Sequence, residues 1–470
     1  MKARREALDS AYEVLRDAIF HYRGAPLGTV AARDPYLVAP NYEECFVRDF
    51  VPSALVFLMD GEYDIVRNFL GTVLDLRVQQ RVMEGHQRAP GLMPASFKVV
   101  TDPEGEERLV ADFGDLAIGR VAPVDSALWW MVLLRLYTYT TGDHSLAASP
   151  RFQEGIRTTL DLYLKESFET SPAMLVPDAS FMIDRRMSVY GHPLEIQALF
   201  YAALRTALDF LAPTDANAAL RKMVLKRFQT LRSYVRIYYW LDIQRLNEIH
   251  RYQAEEFGHE AVNVFNIYPE SIPGWLDGWL DNDSGYFVGN LGPGRMDFRH
   301  FALGNLLSVI FGLAAPEQAQ RIIMLYDRRW DELVGHMPVK ILYPAAEGAE
   351  WAFITGNDPK NVPWSYHNGG SWPTLLWPFV GAALMVGRGD LAERALELAA
   401  QRLMVDNWPE YYDGRRGGLV GRRANYYQTW SAAAYIIASR LLEDEAAMNV
   451  FRNLMFDELD PGQERQILAS

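Results

Sequence analysis

Between Ser180 and Gln197 the chain reads Ser-Phe-Met-Ile-Asp-Arg-Arg-Met-Ser-Val-Tyr-Gly-His-Pro-Leu-Glu-Ile-Gln. A carboxylate (Asp184), two guanidiniums (Arg185, Arg186), a phenol (Tyr190) and an imidazole (His192) crowd in just ahead of a helical pattern. Acid/base work needs a second carboxylate, and Asn407-Trp-Pro-Glu-Tyr-Tyr-Asp-Gly414 supplies one at Glu410. We read Asp184 and Glu410 as an acid and base pair. A glycosidic general acid holds its proton near neutral pH only if burial or a like charge raises its pKa. The two arginines push the other way, so this reading requires them to turn toward other carboxylates. Otherwise Asp184 is a loop residue salt-bridged to its neighbours. Glu410 lies between Trp408-Pro409 and Tyr411-Tyr412, an aromatic setting suited to a base that activates water beside a sugar ring. Asp413, followed by Gly414, reads as a turn residue.

Three further groups stand where helices should begin. Phe46-Val-Arg-Asp-Phe50 sets Arg48 and Asp49 at a helix entrance, as a cap favoured by the dipole or as binders of substrate hydroxyls. Asp125 precedes the uncharged run Ala127-Leu-Trp-Trp-Met-Val-Leu-Leu134 and faces either helix N–H groups or a ligand. Trp364-Ser-Tyr-His-Asn-Gly-Gly-Ser-Trp-Pro373 gathers His367, Ser371 and Trp372 around paired glycines, which form a tight turn or let backbone approach a ligand. Other chemistries find little support. The nine His show no close pair at metal-ligand spacing, and no nucleophile elbow, phosphate-binding loop or dinucleotide fingerprint appears. Gly414-Arg-Arg-Gly-Gly-Leu-Val-Gly-Arg-Arg423 reads as a basic surface loop.

These groups need a scaffold that brings distant segments together. Amphipathic helices alternate with helices that are apolar nearly all round. Glu62–Gln79, Arg151–Lys165, Pro316–Trp330 and Asp390–Met404 are amphipathic; Ala127–Leu134, Met296–Leu313, Ser371–Val386 and Tyr426–Leu442 are largely apolar. Leu194–Leu211 places Leu194, Gln197, Tyr201, Leu204 and Leu208 on one stripe. Roughly twelve helices of this kind describe an all-α toroid of hairpins, with an irregular helical array as the alternative. Inner-helix ends and the loops joining them would line one funnel. Long loops rich in Gly, Pro, Trp and Asp support that, at 88–123, 171–193, 271–295, 339–370 and 406–424. Pro213–Phe257 reads as a mixed helical region, through ordinary packing or as an arm or oligomer contact. No Gly/Ser linker divides the chain, so one domain over 1–470 is expected.

The net charge of −14 argues against a nucleic-acid partner. Aromatic residues reach 13%, including 12 Trp and 24 Tyr, which suits either core or sugar stacking. Cys45 is the single cysteine, so no intrachain disulfide forms and the cytoplasm is the expected compartment. No run approaches the roughly 20 apolar residues of a membrane span, and the charged N-terminus lacks a signal peptide's apolar region.

The chain resembles the neutral/alkaline invertases of glycoside hydrolase family 100, sucrose hydrolases of cyanobacteria and plants. The likeness runs from about Asn41 to Ala438. It passes through Phe46-Val-Arg-Asp-Phe-Val-Pro-Ser-Ala-Leu55, Gly91-Leu-Met-Pro-Ala-Ser-Phe-Lys98, Ile118-Gly-Arg-Val-Ala-Pro-Val-Asp-Ser126 and Met182-Ile-Asp-Arg-Arg-Met187. It continues through Glu195-Ile-Gln-Ala-Leu-Phe200, the Trp364–Pro373 stretch, Trp408-Pro-Glu-Tyr-Tyr-Asp-Gly414 and Gln428-Thr-Trp-Ser431. The resemblance implies an (α/α)6 barrel with its long functional loops on one face, inversion of configuration, and no metal or organic cofactor. It makes Asp184 the general acid and Glu410 the general base. Phe46, Arg48, Asp49, Asp125, Arg186, Tyr190, His192, Gln197, His367, Ser371, Trp372, Gln428 and Trp430 are then the expected substrate-binding residues. The long N-terminal extension of plant members is not seen, so organelle targeting is not expected. Asn425-Tyr426 stands where many relatives carry basic residues. An inverting enzyme must admit a water between its carboxyls, which predicts a separation of about 6.5–9.5 Å. A homo-oligomer is compatible with this reading, and no membrane partner is expected. A sugar epimerase or isomerase on the same fold, or a non-catalytic sugar-binding protein, are the alternatives.

Overall fold

A run without charge has no face to give to water, and in Ser126–Thr141 every residue from Ser126 to Thr138 is buried, the single charged residue Arg135 pairing with Asp209. That helix belongs to an inner layer of the computed structural model, which describes residues 2–35, 40–81, 88–115, 122–164, 172–176, 181–183, 185–187, 189–251, 268–292, 295–456 and 458–469. In chain order the principal helices are α1 (Lys2–Asp17), α2 (Val47–Met59), α3 (Tyr63–Leu76), α4 (Ser126–Thr141), α5 (Pro150–Tyr163), α6 (Leu194–Phe210), α7 (Asp215–Tyr234), α8 (Ala302–Ile310), α9 (Pro316–Arg328), α10 (Leu376–Met385), α11 (Gly389–Ala400) and α12 (Thr429–Glu443). The apolar members α2, α4, α6, α8, α10 and α12 pack each on the next, and α12 returns to α2. The amphipathic members lie outside them: α1 on α12, α3 on α2 and α4, α7 on α6, α9 on α8, and α11 on α10 and α12. On α5, Phe152 stacks on Trp130 of α4 at 5.7 Å. Gly155 permits that approach, because a Cβ there would meet Leu74 Cδ1 at 2.3 Å.

The inner helices present the same end to one place. Phe46, Asp125, Pro193, Phe301, Leu375 and Gln428 are the residues immediately ahead of α2, α4, α6, α8, α10 and α12. A void of about 20 Å³ is lined from five of these starts, by Arg48, Trp129, Leu303, Leu375 and Trp430, and by Met182. The positive ends of the helix dipoles therefore converge there.

The sequence pattern misplaced three segments. The helix expected over Met296–Leu313 begins only at Ala302, because Arg295–Phe301 is a strand antiparallel to Gly285–Gly292. Asp297 and Arg299 pair two residues apart, the spacing of one strand face, while Met296 and Phe298 are buried. The helix expected from Ser371 begins at Leu376, because Ser371 exchanges backbone hydrogen bonds with Tyr412. Beyond α7, the mixed helical region contains a π-helical stretch (Val235–Tyr239), a strand (Trp240–Asp242) and a helix (Ile243–His250). Tyr239 is buried there and its hydroxyl donates to the His192 carbonyl, which is packing within the fold; Tyr252 to Phe257 lie outside the described residues. The helical scaffold thus carries small antiparallel sheets, including the hairpin of Ser96–Thr101 with Glu107–Asp112.

Candidate active site

Two loops form one wall. Trp364–Pro373 and Asn407–Gln428 are joined by the Ser371–Tyr412 exchange and by the Gly414 N–H on the Trp364 carbonyl. Gly414 must be glycine, since a Cβ would lie 1.6 Å from the Gly369 carbonyl oxygen. Among the described residues, eight non-glycine residues have positive φ, and six fall in these loops: Trp364, Tyr366, Asn407, Trp408, Arg423 and Tyr427. Backbone strain of this kind persists where surrounding contacts over-determine it, and it gathers at functional sites.

That wall presents Glu410. Its carboxylate is buried, its backbone N–H donates to the Asn425 carbonyl, and Oε1 accepts a 2.7 Å hydrogen bond from the Tyr42 hydroxyl. Oε2 accepts from Asn425 Nδ2 at 3.3 Å and lies 4.0 Å from Lys360 Nζ. Beneath it, Trp372 stacks on Tyr411 at 5.5 Å and meets Trp430 edge-on at 5.7 Å. His367 stacks on Tyr366 at 4.0 Å. Burial, then Arg186, Lys360 and Arg48, push the His367 pKa well below its ordinary value, so the ring is neutral. Several buried polar atoms have no hydrogen-bond partner among the described residues: Ser371 Oγ, both amide atoms of Gln428, and Trp430 Nε1. Native cores leave few such atoms without a partner.

The opposite wall comes from the starts of α2, α4 and α6. Arg48 Nη1 donates to buried Asp125. Burial, reinforced by Glu410 and Asp125 and opposed by Arg48, pushes Asp49 up to about 7. Burial and then Asp125 push Glu195 up to about 8, against Arg48 and the Met182 N–H it accepts. Burial raises Asp125 as well, against Arg48. These carboxyls share a single guanidinium, and a buried carboxyl in that position keeps a proton.

Asp184 lies outside the described residues, and with it the predicted carboxyl separation; the Arg185 side chain does too. The flanking residues are described. Met182 lines the small void with Arg48 and Trp430, and its N–H donates to Glu195. Arg186 pairs with Asp358 at 2.9 Å, so one of the two arginines does turn to another carboxylate. The remaining expected residues divide. Phe46 directly precedes α2 and pairs with Ser96. Tyr190 is half-exposed. The His192 ring is hydrogen-bonded to the Leu291 carbonyl at 2.8 Å, and burial lowers its pKa. Gln197 gives its amide atoms to the Met174 N–H and carbonyl and to the Pro193 carbonyl, an anchoring arrangement instead of one open to a ligand.

Sequence reasoning missed Tyr42, Glu195, Asp358, Lys360 and Asn425. Only Asn425 carried a signal, as a departure from the basic residues common at that place.

Solved structures that share this fold include glycosidases. A wild-type glycosidase aligns with a TM-score of 0.56 at 15% identity, over 94% of this chain and 97% of that one. A GH63 mannosylglycerate hydrolase from Thermus thermophilus, in complex with glucose, aligns at 0.53 and 14% identity, over 90% and 98%. The fold is helix-rich and is one that these glycosidases share.

The chain belongs to the alkaline and neutral invertase family, whose model matches residues 11–445. Alkaline/neutral invertase E, chloroplastic, of Arabidopsis thaliana is 51% identical over 93% of this chain and 72% of that protein. Cytosolic invertase 1 of Oryza sativa subsp. japonica is 51% identical over 94% and 79%.

Proposed function

We propose that this chain is a single catalytic domain, an (α/α)6 barrel, that hydrolyses sucrose with inversion at the glucosyl carbon. The observation that carries the reading is Glu410: a buried carboxylate accepting from Tyr42 and Asn425, in a wall of stacked aromatic rings that includes Trp372 and Tyr411. The ring of inner helices supports the barrel, and relatives named as invertases support sucrose.

In the mechanism, Asp184 is the general acid and Glu410 the general base. Asp184 gives its proton to the bridging oxygen as the bond to the glucosyl carbon breaks, and fructose leaves. Glu410 takes a proton from the water that attacks the opposite face of that carbon. Asp49, raised to about 7, is ionised in neutral to alkaline conditions and then stabilises the positive charge that develops. His367, neutral and stacked on Tyr366, can donate or accept a hydrogen bond from a sugar hydroxyl without adding charge. A cytoplasmic setting is supported by the buried single Cys45 and by the cytosolic invertase relative.

NMR of freshly digested sucrose tests substrate, bond and stereochemistry together. β-Glucose as the first glucose anomer is the expected result; α-glucose first, or no release of glucose, overturns the reading.

A further inference from the structure

The acid-bearing stretch and the base-bearing loop are far apart in sequence, yet one side chain ties to the first directly and to the second through Lys360. Asp358 follows Gly356 and Asn357, both with positive φ (61° and 63°), at the end of the helix Gly348–Thr355. Its carboxylate is largely buried. Oδ2 takes Arg186 Nη1 at 2.9 Å and Asn361 Nδ2 at 2.9 Å, and Oδ1 takes the Lys360 backbone N–H at 2.9 Å. Lys360 in turn carries its ammonium to 4.0 Å from Glu410 Oε2 and 3.8 Å from the centre of the Tyr366 ring. The Arg186 guanidinium lies over that same ring at 5.6 Å. The Asn361 side chain fixes the next stretch by accepting the His367 N–H at 3.0 Å.

Two cations on one aromatic ring, beside a buried carboxylate base, pose an electrostatic problem. A guanidinium out of water pairs with whatever acid is near, and breaking one buried pair leaves a charge that seeks another. Without Asp358, Arg186 would turn to a reacting carboxylate, and the turn that presents Lys360 would lose its anchor. We propose that Asp358 is a positioning residue, one that occupies Arg186 and pins Lys360 so that the acid-bearing stretch and Glu410 keep a fixed relation across the substrate. This rests on the reading of Asp184 and Glu410 as the reacting pair. It adds the side chain that holds the Arg186 guanidinium and the Lys360 turn in place beside that pair.

The test compares Asp358→Asn, Asp358→Glu, Arg186→Gln and the double variant Asp358→Asn/Arg186→Gln, with melting curves to confirm folding. Each is assayed on sucrose and on α-glucosyl fluoride, whose leaving group departs without needing a proton from an acid. Asp358→Asn is expected to lower kcat on sucrose by about 10- to 100-fold with KM within about threefold, the scale of a small misplacement of reacting groups. The loss on the fluoride should be smaller, because only the base is engaged there. Asp358→Glu, which keeps the charge, should recover at least part of the sucrose activity. The double variant should be more active than the product of the single losses, since the stray guanidinium is gone. Sucrose kcat within twofold of wild type in Asp358→Asn overturns the proposal, as do single losses that multiply in the double variant. If Asp358→Asn fails to fold, Asp358→Glu and Arg186→Gln decide it: wild-type kcat in both overturns it, and a KM-independent loss in Arg186→Gln supports it. Normal activity in Asp358→Asn with inactive Glu410→Ala removes only this proposal, whereas an active Glu410→Ala removes the reading beneath it.

Discussion

Glu410 is close enough to the group formed by Asp49, Asp125 and Glu195 to raise the Asp49 pKa, but the surroundings of the two differ in kind. Glu410 sits among donors, with the Tyr42 hydroxyl, the Asn425 amide and the Lys360 ammonium all directed at its two oxygens. The opposite group shares the Arg48 guanidinium, and burial pushes Asp49 to about 7 and Glu195 to about 8. Hydrogen bonds to a carboxylate favour its charged form, while desolvation and like charge favour the neutral one. Burial and like charge keep protons on one group, donors surround the other, and environment creates that difference from identical functional groups.

The sharpest way to break this comparison is to remove the acceptor. Glu410→Ala should lower sucrose turnover by about 10²- to 10⁴-fold, the contribution of a general base. Asp413→Ala should stay close to wild type, because the Asp413 carboxylate caps the Arg415 N–H in a turn. Equal losses in the two would mean that the donors around Glu410 serve packing alone.

Removing one donor gives a smaller effect. Tyr42→Phe deletes the 2.7 Å hydrogen bond to Oε1, and a bond to a charged group contributes about 1.5–3 kcal/mol, or about 10- to 100-fold in rate if it is realised in the transition state. An unchanged kcat would show that the bond is equally strong in the ground and transition states.

The smallest effect concerns stability on the proton-keeping wall. The Asp49 pKa is higher folded than unfolded, so the native state binds more protons between about pH 4 and 7. Its contribution therefore falls as pH rises through that window and levels off above it. Asp49→Asn should flatten this dependence, melting above wild type at pH 8–9 while losing activity. Parallel melting curves for the two proteins across pH 4–9 would dissolve the contrast between the walls.

Much of the scaffold was legible because burial leaves a linear trace. A helix enclosed on every side carries few charges and pairs those it has, as Arg135 pairs with Asp209, so the uncharged run in α4 announced the inner layer before any coordinates. The Arg295–Phe301 strand escaped because a short apolar run reads alike at either period, and only its pairing with Gly285–Gly292 decides. Glu410 stood out by its aromatic neighbours. Tyr42, Lys360 and Asp358 did not, since a lone tyrosine, lysine or aspartate in a loop looks the same whether it faces water or a buried carboxylate.

The sequence by itself determined the layer of the helices whose runs are clearly apolar or clearly amphipathic, such as α4 and α9, and the family signatures that flank the candidate pair. Those are properties of local pattern and side-chain type. Tertiary structure alone decided which charges meet: that Arg186 pairs with Asp358, that Arg48 serves Asp125, and that Glu410 receives Tyr42. Coulomb energy and desolvation depend on distance through space, and a closed ring of helices brings together residues that the order of the chain keeps far apart.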